Sequence, residues 1–241
     1  MSPKAIKRGY NAEDCRWFSD NAVDKLRIAQ REICWLLDHG YKNSAVIDFV
    51  GNHYQLSARQ RIALQRSTAS TLQYRQREAG LLTFDRAADG CVFIDGFNLI
   101  ISLEVALSGS LMICGNDGVI RDLAGLRGTY SIIGQTERAL ELIGGELKTL
   151  AVPEVKIFLD APVSNSGRLR KLILKHAMDW DIPAEVLLVP NADPVLANIG
   201  RIVSADSVIM DSCESWFNLS RRIIETHIKD AWIVNLTERS E

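Results

Sequence analysis

The sequence lacks the features of membrane-spanning and secreted proteins. A transmembrane helix needs about 18 or more consecutive apolar residues, and the nearest candidate, Val92 to Ile113, is interrupted by Asp95, Asn98 and Glu104. We therefore expect no membrane partner. The N-terminus, Met1-Ser2-Pro3-Lys4, has no apolar core after its charges, which is not the pattern of a secretory signal. These features predict a cytoplasmic protein.

Cysteine and histidine are also scarce. There are five cysteines and four histidines in 241 residues, and no two cysteines form a Cys-x-x-Cys pair. This pattern argues against a disulfide framework and against a zinc site, and it favours free thiols in a reducing compartment. The sequence also has neither the G-x-x-x-x-G-K-[ST] segment of P-loop nucleotide hydrolases nor the G-x-S-x-G segment of α/β-hydrolases.

Charge is distributed unevenly along the chain. Residues 1–86 carry 14 Lys or Arg against 9 Asp or Glu, a formal charge of +5, whereas residues 87–241 carry 14 against 21, a charge of −7. One interpretation is a basic module joined to an acidic one. The other is ordinary variation in surface charge.

The hydrophobic pattern predicts two domains, a basic helical domain over residues 1–86 and an α/β domain over residues 89–241. In the first, Ala22, Leu26, Ala29, Ile33 and Leu36 recur at helical spacing, which predicts a helix from Asn11 to His39. A second helix is expected over 44–50, and a capping box at 57–60 opens a third. The run from residue 45 to residue 66 resembles a helix-turn-helix.

The second helix of that unit carries Arg59, Arg61 and Arg66. These arginines are candidates to contact the phosphates of a nucleic acid. The alternative is a small helical bundle with a solvated basic face.

After Asp89-Gly90 the pattern changes to apolar strand-like segments separated by amphipathic helices, which predicts a mainly parallel α/β sheet. The expected strands cover residues 91–94, 111–114, 119–121, 155–159, 186–189, 208–210 and 232–234, and the last predicted helix covers residues 214–229.

Four acidic residues follow these predicted strands. Asp95 and Asp160 come directly after the segments 92–94 and 155–159, Asp211 follows 208–210, and Asp193 lies just past 186–189. The carboxyl ends of parallel strands meet at one edge, where α/β proteins bind ligands. Taken singly, Asp193 and Asp211 also fit helix caps. Asp206 precedes a predicted strand, and we expect it to face away.

Carboxylates gathered at one edge repel each other unless a cation joins them. Oxygen ligands of this kind suit Mg²⁺ or Mn²⁺. The metal ligands that we predict are Asp95, Asp193 and Asp211.

A small polar segment, Ser164-Asn165-Ser166, follows Asp160 and opens a helix bearing Arg168 and Lys171. Free N–H groups at a helix N-terminus favour anions, so these residues are candidates to hold a substrate phosphate. The alternative is that Ser164 or Ser166 only caps the helix.

The segments Ile94-Asp95-Gly96-Phe97-Asn98, Asn191-Ala192-Asp193 and 205–211 resemble a PIN-like nuclease domain of the NYN branch. The resemblance implies a mainly parallel three-layer α/β fold, a divalent metal and cleavage of RNA. It implies that Asp95 is the central ligand, Asn98 a helper on the first helix, Asp193 a residue at a helix start, and Asp211 the closing ligand. Asp160 matches an acidic position after a middle strand.

The whole chain also resembles a two-part family of unknown function, and the segment around Arg31–Arg66 resembles domain of unknown function 434. Together these observations predict a metal-dependent nuclease, with RNA the expected partner. A non-catalytic nucleic-acid-binding or regulatory protein and a metal-dependent phosphatase acting on a small molecule are the alternatives.

Overall fold

The computed structural model describes residues 7–125 and 128–237, and its first part is helical as predicted. The long helix expected up to His39 is broken near Phe18, so that a short helix precedes the amphipathic one. The helices of this part are α1 (Asp14–Trp17), α2 (Asp20–Asp38), α3 (Asn43–His53), α4 (Ala58–Ser67) and α5 (Thr71–Gly80), followed by a 3-10 helix (Phe84–Asp89). The predicted capping box is confirmed at α4, where the Gln60 N–H donates to Ser57 Oγ at 3.2 Å.

The second part is a mixed α/β structure with two sheets. Four parallel strands form one sheet in the order β5-β4-β1-β6, and a smaller sheet has the order β3-β2-β7. The strands are β1 (Val92–Asp95), β2 (Met112–Cys114), β3 (Ile120–Asp122), β4 (Val155–Asp160), β5 (Ala184–Val189), β6 (Ile202–Val203) and β7 (Ile233–Asn235). The helices are α6 (Gly96–Leu107), α7 (Gly134–Thr149), α8 (Ser166–Ala177), α9 (Ala192–Leu196), α10 (Ser207–Met210) and α11 (Leu219–His227).

The sequence prediction is wrong at three places after β5. The segment predicted as a strand at 208–210 is the helix α10, because Asp206 Oδ1 accepts the Val208 N–H at 2.8 Å and starts a helical turn. The strand β6 was missed, because two residues are too few to show a period. The last helix begins at Leu219, since Trp216 forms β-bridges with Leu81 and Ile202.

The helical part shares a hydrophobic core with the small sheet. Leu26, Ile33 and Leu64 of the helices belong to the same buried cluster as Ile113 of β2 and Val234 of β7. The domain boundary between residues 86 and 89 stays a prediction, but the apolar core crosses it. This packing sets helix α4 beside the α/β part. Within the described residues, no helix combines the length and the apolar character needed to cross a membrane.

A glycine allows β1 and α6 to join directly. A Cβ placed on Gly96 would lie 2.7 Å from Leu159 Cδ2, 2.8 Å from Ile157 Cγ2 and 3.0 Å from the Phe158 carbonyl oxygen. A side chain at this position would therefore push the start of α6 away from β4. Because Asp95 directly precedes this glycine, the close approach also determines where the Asp95 carboxylate lies.

We expect Gly96→Ala to lower the free energy of unfolding by about 1–3 kcal/mol, the usual cost of overpacking a core. The matched control is Gly145→Ala in α7, where an added Cβ meets nothing within 4 Å and a gain of about 0.5–1 kcal/mol is expected. Urea unfolding measures both. Equal stability changes in the two variants would contradict the close approach at Gly96.

Candidate active site

Asp95 lies at the end of β1 and is buried. Its Oδ2 accepts a hydrogen bond from Ser204 Oγ at 2.9 Å, and its Oδ1 accepts one from the Asn98 N–H at 3.3 Å. Ser204 Oγ also accepts the Asp206 N–H at 3.0 Å. The carboxylate therefore caps α6 and is linked to the chain that follows β6.

Asp160 and Asp193 line the same cavity as Asp95. Asp160 ends β4, and its Oδ1 accepts the Ala192 N–H at 2.8 Å, which ties the loop after β5 to the end of β4. Asp193 is not the cap of α9, because Asn191 Oδ1 accepts the Asp193 N–H at 3.1 Å and takes that role. The Asp193 side chain has no hydrogen-bond or ion-pair partner among the described residues.

The sequence predicted that Asp211 joins the acidic cluster and that Asp206 faces away from it, and the structure shows the reverse arrangement. Asp206 lines the same cavity as Asp95, Asp160 and Asp193. Asp211 lies beyond α10, where its Oδ1 accepts Arg77 Nε at 2.7 Å. The prediction that Asp211 closes the acidic cluster is therefore not supported by the geometry, and Asp206 stands in its place.

The four carboxylates Asp95, Asp160, Asp193 and Asp206 are electrostatically coupled. Burial raises the pKa of Asp95 to about 7, with Asp206 and Asp160 adding to the increase, although the hydrogen bonds from Ser204 and Asn98 oppose it. Burial also raises the pKa of Asp193, again with contributions from Asp206 and Asp160. Among the described residues, none of the four forms an ion pair with a cationic side chain.

The four carboxylates open into a cavity of about 1130 Å³ between the two parts of the chain. Helix α4 contributes Ile62, Gln65 and Arg66 to its lining, and α10 contributes Val208. The remaining lining residues are Arg59, Phe97, Asn98, Ile101, Arg121, Asp122, Leu123, Ala124, Gly125, Thr129, Ala205 and Ser207. The cavity thus joins an acidic region to a wall that carries basic, amide and aliphatic side chains.

Asn98 holds the chain that carries Asp206. Its Oδ1 accepts the Ala205 N–H at 2.8 Å, so the amide is engaged with the backbone one residue before Asp206. The role of helper, expected by resemblance, stays a prediction. The sequence analysis did not identify Ser204 or Arg121 as residues of the site. For Ser204 a signal was present, because polar residues follow the apolar pair Ile202-Val203, as they do at the end of a strand.

The three arginines of α4 that were predicted to contact phosphates have different surroundings. Arg59 is held by Asp14, with Nε–Oδ1 and Nη2–Oδ2 distances of 2.9 and 2.8 Å, and also donates to the Leu123 carbonyl at 2.7 Å. Arg61 lies outside the cavity lining and donates to Asn52 Oδ1 at 2.8 Å. Arg66 lines the cavity and makes one longer contact, 3.4 Å from Nη1 to Asp122 Oδ1.

The predicted phosphate-binding segment lies outside the cavity lining. Asn165 occupies the N-cap of α8 with φ +65° and donates from Nδ2 to the Tyr130 carbonyl at 2.7 Å. Ser164 Oγ accepts the Tyr130 N–H at 3.2 Å, and Ser166 Oγ donates to the Ala161 carbonyl at 3.2 Å. Neither serine caps the helix with its side chain. Arg168 and Lys171 are exposed on α8 and also lie outside the lining.

The donor set of the cavity fits a hard divalent cation, because it consists of carboxylate oxygens without a cationic partner in the described chain. Among the described residues, no group of three or more His, Cys, Asp or Glu side chains is placed so that it could hold a metal ion by itself. This is compatible with Mg²⁺, which keeps several waters and is usually bound through one or two carboxylates together with substrate phosphates.

The raised pKa of Asp95 predicts a pH dependence that Asp95→Asn should remove. With a folded pKa of about 7 and an unfolded value near 3.9, the protonated carboxyl favours folding below the unfolded pKa. That contribution is lost as the pH rises through 7.

We expect the variant to exceed the parent in unfolding free energy at pH 8, without metal, by about 2–4 kcal/mol, and the difference to shrink towards pH 4. Chelator-treated protein and urea unfolding provide the measurement, with the exposed Asp230→Asn as control; a difference independent of pH would contradict the burial of an ionised Asp95.

Comparison with known proteins agrees with the two-part organisation. A family model described as "Domain of unknown function (DUF5616)" matches residues 84–222, and one described as "Protein of unknown function (DUF434)" matches residues 25–79. The chain is 34% identical over 184 residues to "Uncharacterized protein MJ0935" of Methanocaldococcus jannaschii, covering 76% of this chain and 88% of that protein. No solved structure matches the chain significantly.

The predicted resemblance to a two-part family of unknown function is thus confirmed. The chain belongs to the family of the domain of unknown function DUF5616, and in this chain a segment that matches DUF434 precedes that domain.

Proposed function

We propose that this protein is a metal-dependent nuclease that hydrolyses phosphodiester bonds, with RNA as its substrate. The single observation that carries the proposal is the set of four carboxylates, Asp95, Asp160, Asp193 and Asp206, which share one cavity without a cationic partner in the described chain. A cluster of this kind is costly unless a cation neutralises it.

Mg²⁺ or Mn²⁺ is the cofactor that this donor set favours. When bound, such an ion activates a water and neutralises charge on the attacked phosphate. Asp95 and Asp206 are the proposed ligands, because Ser204 joins the Asp95 carboxylate to the Asp206 backbone. Asp193 is the third candidate, because its side chain has no hydrogen-bond or ion-pair partner within residues 7–125 and 128–237.

The remaining polar residues position these groups. Asp160 accepts the Ala192 N–H and so orients the start of α9, which carries Asp193. Asn98 accepts the Ala205 N–H and restrains the chain before Asp206. Both contacts keep carboxylates close despite their repulsion. Both residues would act through the groups that they hold.

Helix α4 supplies the side of the cavity that would face the substrate. Arg66 has one contact of 3.4 Å to Asp122, and it can exchange that contact for a substrate phosphate. The aliphatic side chains of Ile62 and Val208 also line the cavity and are exposed. They could therefore contact a sugar or a base of the substrate. The resemblance to PIN-like domains of the NYN branch supports RNA over DNA.

We expect labelled RNA to be cleaved in the presence of Mn²⁺ and to remain intact with chelator, and Asp95→Asn to abolish cleavage without loss of fold. The assay includes DNA and free nucleotides. Cleavage of nucleotides alone would favour the small-molecule phosphatase, and RNA binding without turnover would favour a non-catalytic binding protein.

Metal binding provides a control that is independent of turnover. A ligand of the native state at a hundredfold excess over its Kd stabilises it by about 2.7 kcal/mol, so Mn²⁺ should raise Tm. Asp193→Ala combined with Asp206→Ala should remove that shift. A shift that persists in this double variant would locate the metal elsewhere.

Arg66→Ala should weaken RNA binding and reduce the slope of log affinity against log salt by about 0.7–0.9, the contribution of one phosphate contact. Arg75→Ala is the matched control, because it removes the same charge from a residue that is exposed on α5 and does not line the cavity. Fluorescence anisotropy over a salt series measures both variants. Equal slopes for the two would remove Arg66 from the substrate contacts.

A further inference from the structure

Three buried charged residues link helix α5 to strand β3. Arg77 Nη1 donates to Asp117 Oδ2 at 2.6 Å, and Arg121 donates to the two Asp117 oxygens at 2.9 and 2.6 Å. The side chains of Asp117 and Arg121 are 1% exposed and that of Arg77 is 4% exposed. We name Arg77, Asp117 and Arg121 the ion chain. Buried ion pairs are weak evidence for stability, so the significance of the ion chain lies in the groups at its ends.

The two ends of the ion chain hold the two ends of helix α10. Arg121 Nε donates to the Ala205 carbonyl at 2.8 Å, directly before Asp206. Arg77 Nε donates to Asp211 Oδ1 at 2.7 Å, directly after the last helical residue. Gln73 of α5 adds a bond from Nε2 to Asp211 Oδ2 at 2.7 Å. Helix α10 is therefore bound at its C-terminal end by α5 and at its N-terminal end by Arg121 of β3, which is linked to α5 through Asp117 and Arg77.

Helix α10 needs these anchors because it has only four residues. Isolated helices shorter than about 12–15 residues are marginal in water, since the first turn orders several residues for one hydrogen bond. The orientation of such a turn follows from the groups that bind its ends. Asp206 caps α10, so the direction of its carboxylate depends on where this turn is held.

We propose that the ion chain positions Asp206 in the cavity, and that the helical part of the molecule is thereby a positioning element of the acidic site. Arg77 and Asp211 touch neither the cavity nor its carboxylates and act through α10. This inference rests on the proposed function for the role of Asp206 as a metal ligand. The link between α5 and α10 holds independently of it.

The test is amide hydrogen exchange on the full chain without metal. Arg77→Met keeps the volume of the side chain and breaks the link to Asp117 and Asp211, so we expect the α10 amides of Val208, Met210 and Asp211 to exchange at least about tenfold faster. The half-exposed Asp211→Asn should act in the same direction if Arg77→Met fails to fold. Combining the two should add little to the larger single effect, because both break the same contact.

The control is Arg222→Met, which breaks the ion pair of another buried carboxylate. Arg222 pairs with the buried Glu146 and links α11 to α7, away from α10. Exchange at α10 should be unchanged in this variant even where global stability falls by a similar amount.

A second measurement separates positioning from simple support of the fold. The Mn²⁺ concentration that gives half of the Tm shift should rise several-fold in Arg77→Met and remain at the parent value in Arg222→Met. Arg77→Lys, which keeps a donor, should recover part of the loss.

Two outcomes would overturn the proposal. The first is exchange at α10 that is unchanged in Arg77→Met or equally faster in Arg222→Met. The second is faster exchange with an unaltered response to Mn²⁺, which would leave the ion chain as a support of α10 alone. If the parent protein binds no Mn²⁺, the metal site of the proposed function is wrong, and so is the role assigned to Asp206. The exchange data would still decide whether α5 holds α10.

Discussion

The burial of Asp95 is the constraint on which the arrangement of the site depends. A buried carboxylate without a cation must be stabilised by hydrogen bonds, and here these come from the Asn98 N–H and Ser204 Oγ. The first bond sets the start of α6 directly after β1. The second brings the chain after β6 against the end of β1, because Ser204 also binds the Asp206 N–H. One carboxylate thus determines where two neighbouring segments lie.

The sequence predicted the strand-end carboxylates better than those in loops. Asp95 and Asp160 follow apolar segments that are long enough to be identified as strands, and both lie at strand ends. The sequence predicted that Asp211 joins the cluster and that Asp206 faces away, because the intervening Val208-Ile209-Met210 has strand composition; this segment instead forms a helical turn, and Asp206 lines the cavity. The two-residue strand β6, which delivers Ser204 and Asp206, has no period that a sequence reveals.

The arginines illustrate a second limit, since a sequence gives charges without their partners. Arg59 and Arg61 belong to the same basic helix as Arg66, yet Arg59 is bound by Asp14 and Arg61 by Asn52. The direction of each side chain, which tertiary packing sets, distinguishes Arg59, whose guanidinium makes four hydrogen bonds, from Arg66 with its single long contact among the described residues. The positive charge of residues 1–86 therefore overstates how much of it faces the cavity.

The two parts of the chain cannot be understood as an independent binding module and an independent catalytic domain. Helix α4 forms one wall of the cavity, and α5 holds Asp211 and Asp117 through Arg77. Without residues 1–86, Ile113 and Val234 would lose the helices that bury them, and the buried carboxylates of Glu104 and Asp122 would lose their arginines, Arg8 and Arg66. Leaving a buried charge without its partner costs about 3–5 kcal/mol, a large fraction of the stability of an ordinary domain. The acidic site thus requires the helical part for its geometry as well as for its wall, even though every carboxylate that lines the cavity belongs to the second part.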